Sequence, residues 1–134
     1  MRQETTSPIV LAQARTTEGA AFQLRRDSKG VLEVPGLANL LISIHVGAPA
    51  KLTCRRDGKR HAGTAVHGDI DIIPANTPSR WEMQDENDTA LLLSLPKTLL
   101  HTVANSSGLD SARLEIRNRF QIRDSELWKR SAGP

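Results

Sequence analysis

The sequence predicts a mainly-β domain, an antiparallel barrel or sandwich, followed by one or two C-terminal α-helices. Short stretches of alternating apolar and polar residues recur up to residue 95, with turn residues between them. After Pro96 the apolar residues change to helical spacing. The chain has 134 residues, of which 38% are hydrophobic and 25% charged, and this fits one folded domain over residues 1–134 with a sizeable core.

The strongest predicted strand covers residues 37–46 and is ended by Gly47. Alternation places apolar side chains on one face, namely Leu40, Ile42, Ile44 and Val46. The more polar face carries Leu41, Ser43 and His45. Because a core is normally apolar, the polar face can point inward only if the interior of the barrel is wet.

A specific turn signal stands at Asp57-Gly58, because a two-residue type I′ turn needs positive φ at both central positions. It predicts a hairpin of two strands over residues 51–56 and 59–66. Further strands are predicted over residues 21–24, 70–73, 79–84 and 90–95. The predicted barrel therefore occupies about residues 9–95.

The remaining residues, about 96–134, are predicted to form a helical segment. Pro96 suits a helix start and Gly108 a helix end. The apolar stripe of this helix is formed by Leu99, Leu100, Val103 and Ala104. A short strand is expected around Leu114 and Ile116, and a second helix beginning at Asp124 would carry Leu127 and Trp128.

Charge and composition restrict the function classes. The net charge is +3, and the basic cluster Arg55, Arg56, Lys59 and Arg60 is interpreted as a solvated hairpin tip rather than a nucleic-acid site. Neither a signal peptide nor a membrane span is predicted, and the single Cys54 fits a reducing compartment, so a cytoplasmic location without membrane contact is expected.

Two segments resemble a known family. Residues 68–81, GDIDIIPANTPSRW, resemble the Gly-Asp-apolar-Pro segment of cupin barrels, in the version found in AraC-type sensor domains. Residues 93–100, LSLPKTLL, and 120–127, FQIRDSEL, are similar to the strand-to-helix junction and later helix start of that family, with Ser125 replacing the usual Pro. The resemblance covers roughly residues 35–128.

The resemblance implies a cupin-like jelly-roll barrel that binds a small-molecule effector of unknown class, and a homodimer formed through the C-terminal helices. The dimer-interface residues are expected to be Leu99, Leu100, Val103, Leu127 and Trp128. In full-length relatives a helix-turn-helix domain follows, and none is found in this chain. DNA would therefore be contacted only through a domain outside it.

Candidate effector contacts are Trp81, His45, Arg80 and Thr53. Trp81 offers a stacking face and matches an effector-contacting aromatic of the family, and the alternative for it is a plain core residue. His45 falls near a polar effector position of the family, although it also fits an ordinary strand residue. Thr53 lies on the polar face of its strand. Arg80 would suit an anionic effector and Trp81 a sugar or an aromatic ring, and the sequence does not decide between them.

Catalysis is not expected. Metal-binding cupins use a His-x-His pair, a Glu and a later His, whereas none of the four histidines here forms such a pair and Arg80 stands near the last position. Cys54 alternates with Leu52 on an apolar face and is interpreted as buried and inert. No cofactor or metal is therefore predicted. Two alternatives remain, a metal-dependent cupin enzyme and an interaction module with a filled barrel.

Overall fold

The computed structural model describes residues 5–108 and 118–122, and within them the chain forms ten strands and one helix. The strands are β1 (Ile9–Arg15), β2 (Ala21–Asp27), β3 (Gly30–Val34), β4 (Leu40–Val46), β5 (Ala50–Arg56), β6 (Lys59–Ala65), β7 (Ile70–Ile73), β8 (Ser79–Met83), β9 (Asp88–Leu95) and β10 (Arg119–Ile122). The helix is α1 (Lys97–Ser106).

The strands form two antiparallel sheets. The six-stranded sheet has the order β1-β2-β9-β4-β7-β10, and the four-stranded sheet has the order β3-β8-β5-β6. The predicted class, a mainly-β antiparallel domain followed by a helix, is confirmed. The two sheets do not close into one continuous ring, so the barrel is an open sandwich.

Local turn chemistry was predicted correctly. Asp57 and Gly58 have φ values of 53° and 69°, as a type I′ turn between β5 and β6 requires. Gly108 has a φ of 77° just after α1, which fits a left-handed residue at a helix end. The predicted strand at Leu114 and Ile116 and the helix from Asp124 lie outside the described residues.

The hydrophobic core lies mainly on the four-stranded sheet. Its buried cluster consists of Leu52, Cys54, Ala65, Ile73, Trp81 and Met83. The apolar face of β4 is not its inner face. Leu41, Ser43 and His45 point to the interior, whereas Ile42 and Ile44 are on the other side of the strand. The interior of the domain is therefore partly polar on this side.

Arg56 corrects the interpretation of the hairpin tip as wholly solvated. Arg55, Lys59 and Arg60 are exposed, but the side chain of Arg56 is 0% exposed. Its guanidinium lies 3.2 Å from an Asp71 carboxylate oxygen and donates to the Arg119 carbonyl at 2.6 Å. It also stacks 3.9 Å from the ring centroid of Phe120. Arg56 thus joins β5 to β7 and β10.

The chain before β1 is held on the body of the domain from Thr5 onward. Thr5 bridges to Val31, and Thr6 donates its hydroxyl to the Ser28 carbonyl at 2.6 Å. Thr6 is 4% exposed as a result. This short arm therefore covers the turn between β2 and β3.

Helix α1 leaves part of its apolar stripe uncovered. Ala104 is buried and Leu99 and Leu100 are half-buried, whereas Val103 is 56% exposed. The predicted interface residues Leu127 and Trp128 lie outside the described residues. No helix in the described part of the chain is long and apolar enough to cross a membrane.

Candidate ligand-binding cavity

A cavity of about 280 Å³ lies between the two sheets. Its volume is near the lower end of the range for small-molecule sites, roughly 300–1,000 Å³. The two sheets line it with different chemistry. The four-stranded sheet supplies an apolar wall of Leu32, Val34, Leu52, Ala65, Trp81 and Met83. The six-stranded sheet supplies every polar lining residue, apart from Asp69 immediately before β7.

Strand register arranges the polar wall in rows. Strands β2, β9 and β4 are neighbours in the sheet. Residues that pair across neighbouring strands point to the same face, which here is the inward face. Arg25 pairs with Ala90, and Ala90 pairs with His45, which forms one row. In the neighbouring row Asp27 pairs directly with Asp88. One end of the cavity is thereby lined by charged side chains from several strands.

His45 is fixed in this end of the cavity and is 5% exposed. Its Nε2 lies 2.7 Å from the Ala48 carbonyl oxygen, and since a carbonyl only accepts, Nε2 carries the proton. Its Nδ1 lies 3.5 Å from a carboxylate oxygen of Asp88. The hydrogen bond with Asp88 raises the pKa of His45 above its usual value, and burial opposes this. A His45 with a proton on each ring nitrogen can donate to the Ala48 carbonyl and to the Asp88 carboxylate.

Asp27 and Asp88 are buried carboxylates with 6% and 7% of their side chains exposed. Arg25 Nε donates to Asp27 Oδ2 at 3.2 Å. Burial raises the pKa of Asp27, Arg25 opposes the rise, and the charge of Asp88 adds to it. Among the described residues, Asp27 Oδ1 and Asp88 Oδ2 have no hydrogen-bond partner. Burying a polar atom without a hydrogen-bond partner costs free energy. The pair Asp27 and Asp88 is therefore the part of the wall that differs from an ordinary protein interior.

Trp81 lines the opposite, apolar wall and is 7% exposed. Its indole N–H donates to the Ser79 hydroxyl at 2.9 Å, so its polar atom is already satisfied. The guanidinium of Arg56 lies 5.4 Å from the ring centroid. Trp81 is therefore both a core residue and a cavity residue, and it can offer a ligand apolar surface.

The structure brings together His45 and Trp81 but neither of the other two predicted contacts. Arg80 and Thr53 belong to the outer face of the four-stranded sheet and do not line the cavity. Arg80 Nη1 donates to Glu33 Oε1 at 2.6 Å. Thr53 is 4% exposed and pairs with Ala62 and Glu82 across neighbouring strands. Strand alternation explains this, because Arg80 and Trp81 are consecutive and point to opposite faces.

The charged residues Arg25, Asp27, Asp69 and Asp88 were not predicted as site residues. Asp27 and Asp88 lie where the sequence indicated turns, and Asp69 also resembled a turn residue. Their neighbourhood depends on the pairing of β2 with β9, which are more than sixty residues apart along the chain. A sequence signal was therefore available only for His45 and Trp81.

Cys54 is completely buried, as predicted from its apolar neighbours. Burial raises the pKa of its thiol to about 11. A thiol that stays protonated is a poor nucleophile. Its Sγ accepts a hydrogen bond from Arg56 Nη1 at 3.0 Å, which is a structural contact.

Sequence comparisons give no relative: no protein-family model matches the chain, and neither does any curated protein sequence. Solved structures do match it. KdgF from Halomonas sp. aligns over 72% of this chain and 88% of its own, with a TM-score of 0.53 and 13% identity. EutQ from Clostridium difficile aligns over 68% of this chain and 69% of its own, with a TM-score of 0.52 and 11% identity.

Oxalate decarboxylase from Bacillus subtilis aligns over 83% of this chain and 34% of its own, with a TM-score of 0.51 and 12% identity. These neighbours have the cupin fold, and the chain therefore has a cupin fold as well. At such low identity the likeness concerns the fold alone.

Many cupins bind a metal ion, which requires several His, Cys, Asp or Glu side chains to converge on one point. Over residues 5–108 and 118–122, no group of three or more His, Cys, Asp or Glu side chains has a geometry that could hold a metal ion. His45 and Asp88 are adjacent, but the Nδ1 of His45 is directed toward the carboxylate. The described residues do not fit a resident metal.

Proposed function

We propose that this cupin domain is the effector-sensing and dimerisation part of an AraC-type transcription regulator, and that its ligand is a small molecule bound between the two sheets. The observation that carries the proposal is the cavity of about 280 Å³, with one apolar and one polar wall. A mostly apolar pocket with a few convergent polar groups is the usual form of a metabolite site. The role is one of binding, without catalysis.

Three further observations support the regulator role. The segments 68–81, 93–100 and 120–127 resemble AraC-type sensor domains. The exposed Val103 on α1 offers apolar surface for a homodimer. The arm at Thr5 and Thr6 lies on the β2–β3 turn, next to Asp27 in the cavity wall. DNA would be bound by an attached or partner DNA-binding domain.

The mechanism we attach to this role is a population shift. A ligand that binds one arrangement of the cavity walls more tightly than another favours that arrangement by its differential affinity. Asp27 ends β2 and Thr6 packs beside the turn that follows, so a change in this wall reaches the arm through adjacent residues. The dimer would then present its DNA-binding units differently.

A thermal-shift screen against sugars, aromatic acids, amines and common metabolites tests the binding role. A ligand that binds only the native state at a hundred times its Kd should add about 2.7 kcal/mol to the free energy of unfolding. The screen is run with and without EDTA. A shift that does not depend on EDTA supports the proposal, whereas destabilisation by EDTA without any ligand shift points to a metal-dependent enzyme and overturns it.

A cavity-filling variant localises the binding. Ala90 lies in the polar wall between Arg25 and His45, so Ala90→Leu should remove the ligand-induced shift by occupying the space. Ala62→Leu is the matched control, because Ala62 is exposed on β6 and does not line the cavity. Equal ligand shifts in both variants would show that the ligand binds elsewhere.

A further inference from the structure

We propose that the ligand carries a protonated amine, held at the polar wall by the paired carboxylates of Asp27 and Asp88, and an apolar body that lies against Trp81. This inference rests on the proposed function, because it assumes that the cavity binds a small molecule. It adds the chemical class of that molecule. Three steps lead to it.

The first step is geometry. Asp27 and Asp88 are direct cross-strand partners on β2 and β9, and both line the cavity. The Cβ atoms of such partners are about 4.5–5.5 Å apart, so two carboxylates on the same face stand side by side. A single ligand group can therefore interact with both of them.

The second step is the state of their oxygens. Within the described residues Asp27 Oδ1 and Asp88 Oδ2 lack hydrogen-bond partners, and both side chains are more than nine-tenths buried. A buried carboxylate oxygen without a donor is unfavourable. An ammonium group supplies three N–H donors and a compensating charge, which matches two adjacent acceptors.

The third step is the charge around the pair. Asp27, Asp69 and Asp88 line this end of the cavity, with Arg25 and His45 as the lining groups of opposite character. Arg25 already donates to Asp27 and His45 lies against Asp88. With all three carboxylates ionised, the formal charge of this end is negative even when His45 is doubly protonated. It therefore favours a cation and disfavours an anion.

The opposite wall defines the rest of the ligand. Trp81, Leu32 and Met83 face the polar wall across the cavity, and the indole N–H of Trp81 is engaged with Ser79. Polar groups on that side of the ligand would find no partner there and would lose their hydration. The ligand class is thus a small amphipathic amine with a short aliphatic or aromatic body.

Three probes of matched shape test the charge preference, namely benzylamine, benzyl alcohol and benzoate. Their binding to the whole chain is followed by NMR titration at neutral pH, where benzylamine is protonated. We expect benzylamine to bind at least about tenfold more tightly than the other two, as for a charge-assisted hydrogen bond. Equal or tighter binding of benzoate or benzyl alcohol would overturn the inference.

Two variants assign the preference to the pair. Asp27→Asn and Asp88→Asn should each weaken benzylamine binding about tenfold and leave benzyl alcohol unchanged. Glu33→Gln is the matched control, since Glu33 is a carboxylate outside the cavity with 71% of its side chain exposed. Unchanged benzylamine affinity in both Asp variants would overturn the inference, because the amine would then be held by other groups.

The wild-type protein provides a second measurement if either variant fails to fold. Acidification protonates Asp27 and His45, which face the same end of the cavity as Arg25, Asp69 and Asp88. Both protonations make the cavity less negative. Benzylamine affinity should therefore decrease as the pH is lowered, whereas benzyl alcohol affinity should stay the same. Parallel behaviour of the two probes would contradict the inference.

Failure of this inference can be distinguished from failure of the proposed function. If the metabolite screen finds a ligand without an amine and benzylamine does not bind, the amine inference is wrong and the binding role stands. If neither the screen nor the probes show binding, both proposals fail.

Discussion

Asp27 lies in the wall of the cavity with 6% of its side chain exposed. Burial raises its pKa, so the folded protein disfavours the charged form more than the unfolded chain does. A group of this kind contributes stability below its unfolded pKa and loses that contribution as the pH rises through its folded pKa. At neutral pH the buried Asp27 therefore lowers the free energy of unfolding.

We expect Asp27→Asn to be more stable than the wild type at neutral pH, because the amide carries no charge and can still accept from Arg25. The difference should disappear as the pH falls from the raised pKa of Asp27 to the ordinary range of an aspartate. Urea unfolding between pH 4 and 8 measures it. A constant difference across this range, or a less stable variant at neutral pH, would contradict the expectation.

Cavity residues could be predicted where the pattern along a single strand is enough to identify them. His45 and Trp81 were predicted from alternation and family resemblance, and both line the cavity. Arg80 was named from the same segment as Trp81, yet strand alternation takes it to the outer face. The partnership of Asp27 with Asp88 depends on long-range register, which no local pattern encodes.

Arg56 shows how one residue can join several elements. It extends from β5 to Asp71 on β7 and to the backbone of Arg119 on β10, with Asn118 also accepting from its Nε. Asp71 in turn accepts from the backbone N–H of Gln121 at 3.1 Å. The last described strand is therefore held by the ion pair between the buried Arg56 and the half-buried Asp71 and by their hydrogen bonds.

Arg56→Ala should destabilise the domain by about 3–5 kcal/mol, since it removes a fully buried guanidinium and leaves the half-buried Asp71 without its cationic partner. Arg55→Ala is the matched control, because Arg55 is exposed and such changes usually stay within about 0.5 kcal/mol. Urea unfolding gives the two values, and hydrogen exchange at the amides of β10 should accelerate only in Arg56→Ala. Equal effects of the two variants would show that Arg56 does not fasten β10.

The elements differ in how well the sequence predicts them. The hairpin β5–β6 was predicted because Asp57-Gly58 encodes its turn. Strand β1 was not predicted. All seven of its residues are exposed, so it has no buried face that would produce an apolar-polar alternation. Strand β10 follows α1 and depends on the tertiary contacts of Arg56, so its four residues carry too little local signal.

For the whole molecule, the comparisons with solved structures show the cupin fold. The homodimer is part of the proposed regulator role. The apolar stripe of α1 is covered at Ala104 and open at Val103. An exposed apolar side chain beside half-buried Leu99 and Leu100 is the kind of surface that a second copy can cover.

Val103→Glu should therefore shift the protein from dimer to monomer and weaken dimerisation at least about tenfold, because a charge would be buried in the interface. Asn105→Glu, an exposed position of the same helix, is the control and should leave the dimer intact. Sedimentation velocity over a range of concentrations measures both. A wild-type protein that stays monomeric, or a dimer unaffected by Val103→Glu, would remove α1 from the interface.

The two walls of the cavity also differ in how much they contribute to the hydrophobic core. Most of the buried core cluster, including Leu52, Trp81 and Met83, belongs to the four-stranded sheet, which forms the apolar wall. The polar wall on the six-stranded sheet carries the charges and little of that core. If the cavity binds a ligand as proposed, substitutions in the polar wall should change which ligand is accepted with less loss of core packing than substitutions in the apolar wall. For redesign, this sheet is the side on which new specificities are most readily built.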